Sequence, residues 1–360
     1  MTGASGNSVP GPAGQGEPEA VALTAAVCTR DRPRQLDRAL ASLVAQVSPV
    51  AEILVVVNSS ARTADVDGVL EKYPTVRCEL EPREGLDFAR NRALAAARTE
   101  VVAYLDDDVV LDSGWSAALA RGFAVDESIG VCTGRVLALE LETEGQRIFE
   151  ANGGYDRGDR PVLLPDFRGT KLHGWSAPTV AWAFSIGNGS SFAVRRELAV
   201  SLGGFDEALD LGSYLPGGGD HDMLWRVLQS GSKVLYVPDA VAYHEHRRAK
   251  EEVFRQIVGQ QRGFVAMLSK AVRHTRGIDR IWVLGYLVWR IFKPGARILR
   301  RIAGRDPLPI SVLMNMWWNC LRGPLCYLLA KGMAEKRRAS AAVAISVGKV
   351  SVTSEADKDA

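Results

Sequence analysis

The chain has 360 residues, of which 47% are hydrophobic and 24% are charged, and this ordinary globular composition suffices for an α/β domain with an appended segment. Its 5 cysteines include no Cys-x-x-Cys pair and no spacing with histidine that is typical of zinc, so they exclude a zinc ribbon and indicate reduced thiols in the cytosol. The net charge of +2 conceals an asymmetry, because residues 247–305 contain 15 Lys or Arg and only 3 Asp or Glu. Such a basic face indicates an anionic partner.

Composition divides the chain into four segments. Residues 1–20 consist largely of Gly, Pro, Ala, Ser and Glu without an apolar core, which predicts a disordered leader rather than a signal peptide. Residues 21–250 are predicted to form the main domain, residues 251–338 a basic and aromatic helical extension, and residues 339–360 a loose tail.

The first elements alternate between strand and helix. Residues 21–28 predict a strand, and Pro33 suits the first turn of a helix in which leucines recur at helical spacing. Further strands are predicted at residues 52–57 and 76–80. This alternation favours an α/β fold with a parallel, doubly wound sheet.

An apolar run at residues 101–105 ends in the three carboxylates Asp106, Asp107 and Asp108. A short apolar run bounded in this way predicts a strand buried on both faces, so the carboxylates lie at its carboxyl end, where open α/β sheets bind ligands. Because adjacent carboxylates repel one another, a hard cation such as Mg²⁺ or Mn²⁺ would hold them together. The alternative is a solvated acidic turn, which the buried strand disfavours.

The middle of the chain alternates less regularly. Residues 109–123 predict a loop and a helix, and residues 129–136 predict a strand. Residues 138–183 are rich in Gly, Pro and aromatic side chains and predict long loops, which in compact domains usually serve function or move.

Three glycines, at positions 217–219, precede Asp220 and allow the backbone to approach a ligand closely. A short helix is predicted from Asp222 to Gly231, with Asp222 as a candidate N-cap. Residues 233–238 predict a closing strand.

Before the acidic strand, one of Arg90 and Arg92 is expected to reach a phosphate while the other is solvated, since residues two apart do not share a helix face.

The chain carries seven blocks in a set order, namely residues 29–33, 85–94, 105–108, 187–196, 203–207, 219–222 and His244. In this order they resemble family 2 glycosyltransferases of the GT-A fold, and the resemblance covers residues 21–248. It implies a Rossmann-like, mixed but mostly parallel sheet flanked by helices, followed here by the C-terminal helical extension. It also implies a metal-dependent, inverting transfer of sugar from a nucleotide-diphosphate sugar.

The resemblance assigns roles to individual residues. Mn²⁺ or Mg²⁺ would be held by Asp108 and His244, and the general base would be Asp220. Contacts to the donor nucleotide are expected from Thr29, Asp31, Asn58, Arg90 and Asp106. Candidates for acceptor contact or for support are Asp222, Asn188 and Trp182. Two separate carboxylates suit this chemistry, because a carboxylate bound to the metal is a poor base.

Two positions depart from the family pattern. Asn58 stands where an acid is common, so nucleotide recognition there would rest on an amide. Gly219 stands where Glu is usual, which removes a helper carboxylate for the acceptor and makes Asp222 the candidate replacement. His221 and His246 are interpreted as capping, packing or solvent-facing residues, because a lone histidine is a weak signal.

Beyond Arg248 the sequence predicts helices that combine basic and aromatic residues. Residues 308–330 form a mostly apolar stretch that is long enough to span about 30 Å of hydrocarbon. However, Arg322-Gly323-Pro324 in the interior of this stretch disfavours a spanning helix. Three hypotheses follow: helices that lie in the interface of an anionic membrane, a buried cap or dimer interface, and a true span. The first is favoured because aromatic side chains alternate with basic ones.

The sequence thus predicts a cytoplasmic glycosyltransferase, attached peripherally to the inner face of the cell membrane under the first hypothesis. Its partners would be a nucleotide-diphosphate sugar and an acceptor hydroxyl on a lipid, glycan or small molecule, as in cell-envelope polysaccharide, glycolipid or secondary-metabolite glycosylation. No nucleic acid is expected, because no recognised module accompanies the basic segment.

Two alternative functions stay open. A nucleotidyltransferase should show a Gly-rich phosphate loop after its first strand, which residues 28–33 lack. A non-catalytic nucleotide-binding or membrane scaffold is the other alternative, and the joint presence of Asp106, Asp108, Asp220 and His244 speaks against it.

Overall fold

A computed structural model describes the backbone of residues 21–165, 171–172, 175–176, 179–212 and 214–356. The predicted leader, residues 1–20, and the last four residues of the predicted tail lie outside the described residues. Within the described range, the chain forms a 9-stranded sheet flanked by helices and a small 2-stranded sheet.

Strand and helix alternate through the first half of the chain, as predicted. The strands are β1 (Leu23–Thr29), β2 (Glu52–Val57), β3 (Arg77–Leu80), β4 (Val101–Asp106), β5 (Val109–Leu111), β6 (Ile129–Ala138), β7 (Val162–Leu164), β8 (Lys171–Leu172), β9 (Trp175–Ser176), β10 (Phe192–Arg195) and β11 (Lys233–His244). The helices are α1 (Pro33–Val44), α2 (Ala64–Leu70), α3 (Leu86–Ala96), α4 (Trp115–Ala124), α5 (Glu144–Ala151), α6 (Thr179–Ala183), α7 (Arg196–Ser201), α8 (Gly219–Gln229), α9 (Lys250–His274), α10 (Gly277–Ile302) and α11 (Ile310–Ala356).

The strands of the large sheet lie in the order β3-β2-β1-β4-β10-β6-β11-β5, with β7 beside β11. Strand β1 is parallel to β2 and β4, β2 is parallel to β3, and β6 is parallel to β11. Strand β10 is antiparallel to both β4 and β6, so β4 and β6 run in the same direction. The described sheet is therefore mixed but mostly parallel, which confirms the predicted fold class.

Parallel pairing brings the carboxyl ends of several strands to one edge of the sheet. Cys28 of β1 is the partner of Asp106 of β4, and Thr29 of β1 is the partner of Val57 of β2. Strand β11 ends at the same edge with His244, because it is parallel to β6. The segment that precedes the antiparallel β10 lies there too. This edge is where open α/β sheets bind ligands.

Apolar side chains cover both faces of the sheet. Helices α1 and α4 pack on one face through Leu36, Leu40 and Trp115, and α3 and α8 pack on the other through Phe88 and Met223. Burying one such side chain contributes about 1.5–3 kcal/mol. The two apolar layers therefore fix the strand ends that carry the polar residues.

Two strands differ from their predictions. Val109–Leu111, predicted as loop, is β5 and pairs with β11 at the edge of the sheet. Strand β11 continues past residue 238 to His244, with an irregular register on the way. Pairing with a neighbouring strand decides both cases, and hydrophobic periodicity in the sequence does not report such pairing.

The segment predicted as long loops contains α5. This helix begins with a capping box, in which the side chain of Thr143 accepts a hydrogen bond from the Gln146 backbone N–H and the Gln146 side chain accepts one from the Thr143 backbone N–H. The prediction of long loops for residues 138–183 is therefore wrong at α5. The spacing of Thr143 and Gln146 is the sequence signature of a capping box.

The C-terminal helices pack on the main domain and on one another. Helix α9 buries Val253, Ile257 and Met267, and Tyr327 of α11 donates a hydrogen bond to Asp206 at 2.9 Å. Helix α11 extends to Ala356, where the sequence predicted a loose tail from residue 339. Across the described chain, no helix combines the length and apolar character that crossing a membrane requires.

Candidate active site

A cleft of about 1400 Å³ opens at the carboxyl edge of the sheet. Its floor is formed by the ends of β1 and β4, the segment 188–190 and the first turn of α8, and residues of α9, α10 and α11 line its wall. Sites for small ligands typically enclose roughly 300–1,000 Å³. The cleft therefore has room for a nucleotide sugar together with part of an acceptor.

Asp106, Asp108 and His244 meet in this cleft. One ligand atom from each lies within 4.8 Å of the other two, and His244 Nε2 is 3.3 Å from Asp108 Oδ1. Asp108 Oδ1 is buried and has no hydrogen-bond partner among the described residues. Burial and the charge of Asp106 raise the pKa of Asp108 to about 6, against the opposing effect of Arg32. Carboxylate oxygens and an imidazole nitrogen are ligands of Mn²⁺, so the residues present fit the predicted metal.

Two further residues orient His244. His244 Nδ1 is 2.9 Å from His246 Nδ1, and His246 Nε2 is 2.7 Å from Glu150 Oε1. Because burial lowers the pKa of both histidines, we assign neutral rings in which His246 donates to Glu150 and His244 donates to His246. This assignment leaves the Nε2 lone pair of His244 facing Asp108. His246 therefore orients a predicted metal ligand, in addition to the packing role expected from the sequence.

Asp107 faces away from these three residues. Its Oδ2 accepts a hydrogen bond from Thr29 Oγ1 at 2.7 Å, and its Oδ1 accepts one from Arg32 Nη1 at 3.1 Å. The same Arg32 nitrogen donates to Asp108 Oδ2 at 3.0 Å. Thr29 was predicted to contact the donor; it borders the cleft, and its hydroxyl holds the acidic turn. Arg32 was not predicted, although it partly neutralises two of the adjacent acids.

The segment before β10 brings Asn188 and Ser190 into the cleft. Ser190 Oγ donates to Asp106 Oδ2 at 2.6 Å, and Asn188 Oδ1 accepts from the Ser190 N–H at 3.0 Å. Asn188 Nδ2 is buried and has no hydrogen-bond partner among the described residues. This donor is available to a substrate oxygen, as the prediction for Asn188 requires.

Asp220 lies in the first turn of α8 and borders the same cleft. Its Oδ2 accepts a hydrogen bond from the Gly189 N–H at 2.7 Å, and its Oδ1 is 2.8 Å from the His221 N–H nitrogen and 2.7 Å from His221 Nδ1. Burial raises the pKa of Asp220, but His221 and Arg90 outweigh burial and hold this pKa below its usual range. Asp220 is therefore ionised at neutral pH and can accept a proton.

A buried ion network holds the glycine run 217–219 in front of Asp220. Asp210 accepts hydrogen bonds from two backbone N–H groups of this run at 2.6 and 2.9 Å. Arg90 Nη1 donates to Asp87 at 2.9 Å and to Asp210 at 3.3 Å. Arg90 was predicted to bind the donor; it borders the cleft, and its charge is compensated by these two acids.

Asp87 also explains the glycine at position 219. A Cβ added to Gly219 would lie 1.9 Å from Asp87 Oδ2, so the carboxyl group of Asp87 fills the space of a side chain there. Asp87 Oδ2 is buried without a hydrogen-bond partner among the described residues. Burial and the neighbouring Asp210 raise the pKa of Asp87 well above its usual value. A carboxyl group from α3 thus fills the space beside Gly219, but Asp87 is buried and does not line the cleft.

Asp31 and Asn58, which were predicted to contact the donor, have structural roles in the loops that carry them. Asp31 does not border the cleft; its side chain is 63% exposed, and its φ of 52° turns the chain at the end of β1, a conformation that Asp tolerates. Asn58 borders the cleft but holds a loop, since it donates to the carbonyls of Glu81 and Arg83 at 3.0 and 2.7 Å and accepts from the Gly85 N–H at 2.9 Å.

Two predicted acceptor contacts lie away from the cleft lining. Asp222 is fully buried and pairs with Arg226 Nε at 2.7 Å and Lys270 Nζ at 2.8 Å. It is not the N-cap of α8, which is Gly218. Trp182 packs in the apolar core beneath the sheet and is 8% exposed. Burial keeps both side chains out of the cleft lining, which the sequence did not reveal, and a supporting role for either stays a prediction.

The chain resembles known glycosyltransferases in sequence. Residues 24–192 match the family described as Glycosyl transferase family 2. The chain is 28% identical over 198 residues to the pre-mycofactocin glycosyltransferase of Mycobacterium tuberculosis, which covers 54% of this chain and 37% of that protein. It is 28% identical over 180 residues to human N-acetylgalactosaminyltransferase 7, which covers 46% of this chain and 26% of that protein. The matches thus span well under half the length of these relatives.

A solved structure resembles the fold over most of the chain. The mannosyltransferase PcManGT from Pyrobaculum calidifontis, in complex with GDP-Man and Mn²⁺, aligns with a TM-score of 0.53 at 20% identity. The alignment covers 90% of this chain and 87% of that chain. At this level of identity the likeness supports the fold, including the C-terminal helices.

Proposed function

The chain belongs to glycosyltransferase family 2, and from this premise we propose that it transfers a sugar from a nucleoside-diphosphate sugar to an acceptor hydroxyl with inversion. One observation carries the proposal: Asp106, Asp108 and His244 share a cleft with Asp220, yet the two groups have separate hydrogen-bond partners. Metal binding and proton transfer are thereby assigned to different carboxylates, as glycosyl transfer requires. The Mn²⁺ and GDP-Man in the solved relative are consistent with this assignment.

Each residue of the site has a defined task in this reaction. Asp106, Asp108 and His244 would hold the cation, which would supply positive charge to the diphosphate leaving group. Asp220 accepts the proton of the acceptor hydroxyl, while Gly189 and His221 fix its carboxylate by hydrogen bonds. The acceptor oxygen then bonds to the anomeric carbon as the nucleoside diphosphate departs. A single displacement of this kind inverts the configuration at that carbon.

The proposal is tested by incubating the full chain with Mn²⁺ and, separately, UDP-, GDP- and TDP-sugars. We expect one class to bind, to release its nucleoside diphosphate by slow hydrolysis, and to do neither after EDTA treatment. Release of pyrophosphate from a nucleoside triphosphate and a sugar 1-phosphate would instead identify a nucleotidyltransferase. Donor binding without hydrolysis or transfer would favour the scaffold alternative.

We also propose that the outer faces of α10 and α11 rest on an anionic membrane surface. Each helix exposes a stripe of apolar side chains at helical spacing: Ile281, Trp282, Val288, Trp289 and Phe292 on α10, and Met314, Trp318, Leu321, Leu325 and Leu328 on α11. Exposed basic residues accompany the stripes, namely Arg276, Arg280, Arg300, Arg301 and Arg322. Each basic residue near an anionic surface contributes about 1 kcal/mol. These apolar stripes and basic residues support the proposed attachment to the inner face of the membrane.

Sedimentation with vesicles tests the membrane proposal. The full chain should bind phosphatidylglycerol vesicles at low salt and phosphatidylcholine vesicles much more weakly. Replacement of both Trp282 and Phe292 by Gln should weaken binding, whereas Val47→Gln, at an exposed apolar side chain outside these helices, should not. If the parent chain fails to bind anionic vesicles at low salt, the helices serve internal packing alone.

A further inference from the structure

Arg290 of α10 is a buried cation without a counter-ion on the wall of the cleft. It is 8% exposed and borders the cleft. Within the described part of the chain, no carboxylate pairs with it, and its Nε and Nη2 have no hydrogen-bond partner. Buried arginines are almost always paired, because removing an ion from water is costly. This unpaired guanidinium therefore requires an explanation.

Two aromatic rings contact the guanidinium group of Arg290. Its Cζ lies 5.3 Å from the ring centre of Phe184 and 5.0 Å from that of Phe264. The rings attract a cation but cannot accept its hydrogen bonds in the way an oxyanion does. The same two rings contact the imidazole of His221, with centres 4.7 and 5.0 Å away. One aromatic layer thus separates Arg290 from the imidazole that contacts Asp220.

A second cation, Lys293, follows on the same helix at the rim of the cleft. Its Nζ lies over the Trp289 ring at 5.0 Å, and it has no carboxylate partner within the described chain. Burial and the neighbouring Arg290 and Arg297 lower its pKa to about 8. Arg297 differs, because Asp306 accepts two hydrogen bonds from it at 2.7 and 2.9 Å. The wall of the cleft therefore carries uncompensated positive charge at two positions.

The place of this charge indicates which substrate it serves. The diphosphate of a donor belongs at Asp106, Asp108 and His244, where the cation would bind. The acceptor hydroxyl must lie beside Asp220, since Asp220 takes its proton. Arg290 borders the same cleft and shares its two phenylalanine contacts with His221, whose imidazole contacts Asp220, so we assign an anion that pairs with Arg290 to the acceptor.

We propose that the acceptor carries an oxyanion, either a phosphate or a carboxylate group, which Arg290 binds with Lys293 as a second contact. The inference rests on the proposed function, because it names the acceptor class of the same cleft. A guanidinium presents its N–H donors in a planar fork that matches two oxygens of one oxyanion. Pairing would also satisfy the nitrogens that lack partners.

Calorimetry with three sugars tests this inference on the full chain. The protein is first saturated with Mn²⁺ and the nucleoside diphosphate identified in the donor experiment, and glucose 1-phosphate, glucuronate and glucose are then titrated separately. At least one anionic sugar should bind about 10-fold or more tightly than glucose. The choice between glucose 1-phosphate and glucuronate distinguishes a phosphate from a carboxylate.

Variants of two arginines on α10 provide the matched comparison. Arg290→Met should weaken the anionic sugar roughly 10- to 100-fold, since a hydrogen-bonded charge pair is lost, and should leave nucleoside diphosphate affinity unchanged. Arg280→Met removes the same charge from an exposed position and should change neither. Arg290→Lys keeps the charge without the fork and should retain part of the affinity, which guards against misfolding of the methionine variant.

Four results would overturn the inference. These are equal binding of the three sugars, no measurable binding of either anionic sugar, unchanged binding in Arg290→Met, and a loss of nucleoside diphosphate affinity in that variant, which would assign Arg290 to the donor. Failure of the parent chain to bind any nucleoside diphosphate contradicts the proposed function instead. That failure is seen before any sugar is added, so the two failures are distinguishable.

Discussion

The floor and the wall of the cleft differ in the partners of their charged side chains. On the floor, Asp107 and Asp220 have several hydrogen-bond partners each, contributed by the end of β1, by the residue before α1, by the segment before β10 and by α8 itself. On the wall, Arg290 and Lys293 project from one long helix and have aromatic rings as their nearest partners. Most carboxylate oxygens of the floor are thus satisfied within the protein, with Asp108 Oδ1 as an exception, whereas the two cations of the wall lack an anionic partner among the described residues. The first is expected to perform chemistry and the second to select a substrate.

The largest effect is expected on the floor. Asp108→Ala should abolish Mn²⁺-dependent binding of the nucleoside diphosphate, because it removes one of the two carboxylates in the group with His244. Calorimetry with and without Mn²⁺ measures this. Asp31→Ala is the control, since the Asp31 side chain is exposed and does not border the cleft, and it should bind as the parent does. Unchanged metal-dependent affinity in Asp108→Ala would remove Asp108 from the metal site.

Asp220→Asn tests the separation of proton transfer from donor binding. The variant keeps the size of the side chain but cannot accept the proton, and general-base catalysis typically contributes about 10²–10⁴-fold to the rate. We expect turnover to fall by that factor while donor affinity changes no more than a few fold. Single-turnover transfer, or donor hydrolysis until an acceptor is known, measures the rate. A rate close to that of the parent would show that another group takes the proton.

His246→Phe tests the support of the metal group from behind. The variant removes the hydrogen bond to His244 Nδ1 and the link to Glu150. Loss of such support typically lowers metal affinity roughly 10- to 100-fold. Titration with Mn²⁺ measures the change. His274→Phe is the control, because His274 is exposed and bonds only to the carbonyl of Lys270 in its own helix. Equal affinities in the two variants would return His246 to a packing role.

The smallest effect is expected on the wall of the cleft. It is a gain in stability, whereas the preceding variants lose binding or turnover. Arg290→Met should raise the free energy of unfolding by about 1–4 kcal/mol, because an apolar side chain replaces a buried ion that has no partner. Thermal or denaturant unfolding without ligand measures it, with Arg280→Met as the reference. A destabilised Arg290→Met would mean that the two phenylalanine rings alone compensate the charge.

The floor could be predicted from the sequence to a large extent. Strands β1, β2 and β4 end in polar residues, and parallel strands bring their carboxyl ends together, so Asp106 and Asp108 were expected at one edge. His244 came from the resemblance, and the pairing of β11 with β6 explains why it arrives there. Hydrophobic period is a local property, which is why the sequence pattern reports where these strands end.

The placement of the other residues at and around the cleft depends on contacts between segments that are distant in the sequence. Arg290 reaches the cleft only because α10 packs against α9 and α11, and a lone arginine in an amphipathic helix gives no sign of that. Asp222 resembled an exposed helix cap until Lys270, 48 residues later, was found to cover it. The capping box at Thr143 differs, since its signal was present in the sequence and was overlooked among the loop-forming residues around it.

Gly219 and Asp87 have a consequence for how such sites change in evolution. A side chain at position 219 and a carboxyl group at position 87 compete for one volume, so the two positions form a coupled pair although they lie on different helices. Gly219→Ala alone should destabilise the fold, and Asp87→Ala in the same chain should recover part of that loss, as a double-mutant cycle would measure. Independent, additive effects would refute the coupling. Under this coupling, a side chain at position 219 of α8 and a carboxyl group at position 87 of α3 exclude one another, so a change at one position is expected to require a compensating change at the other.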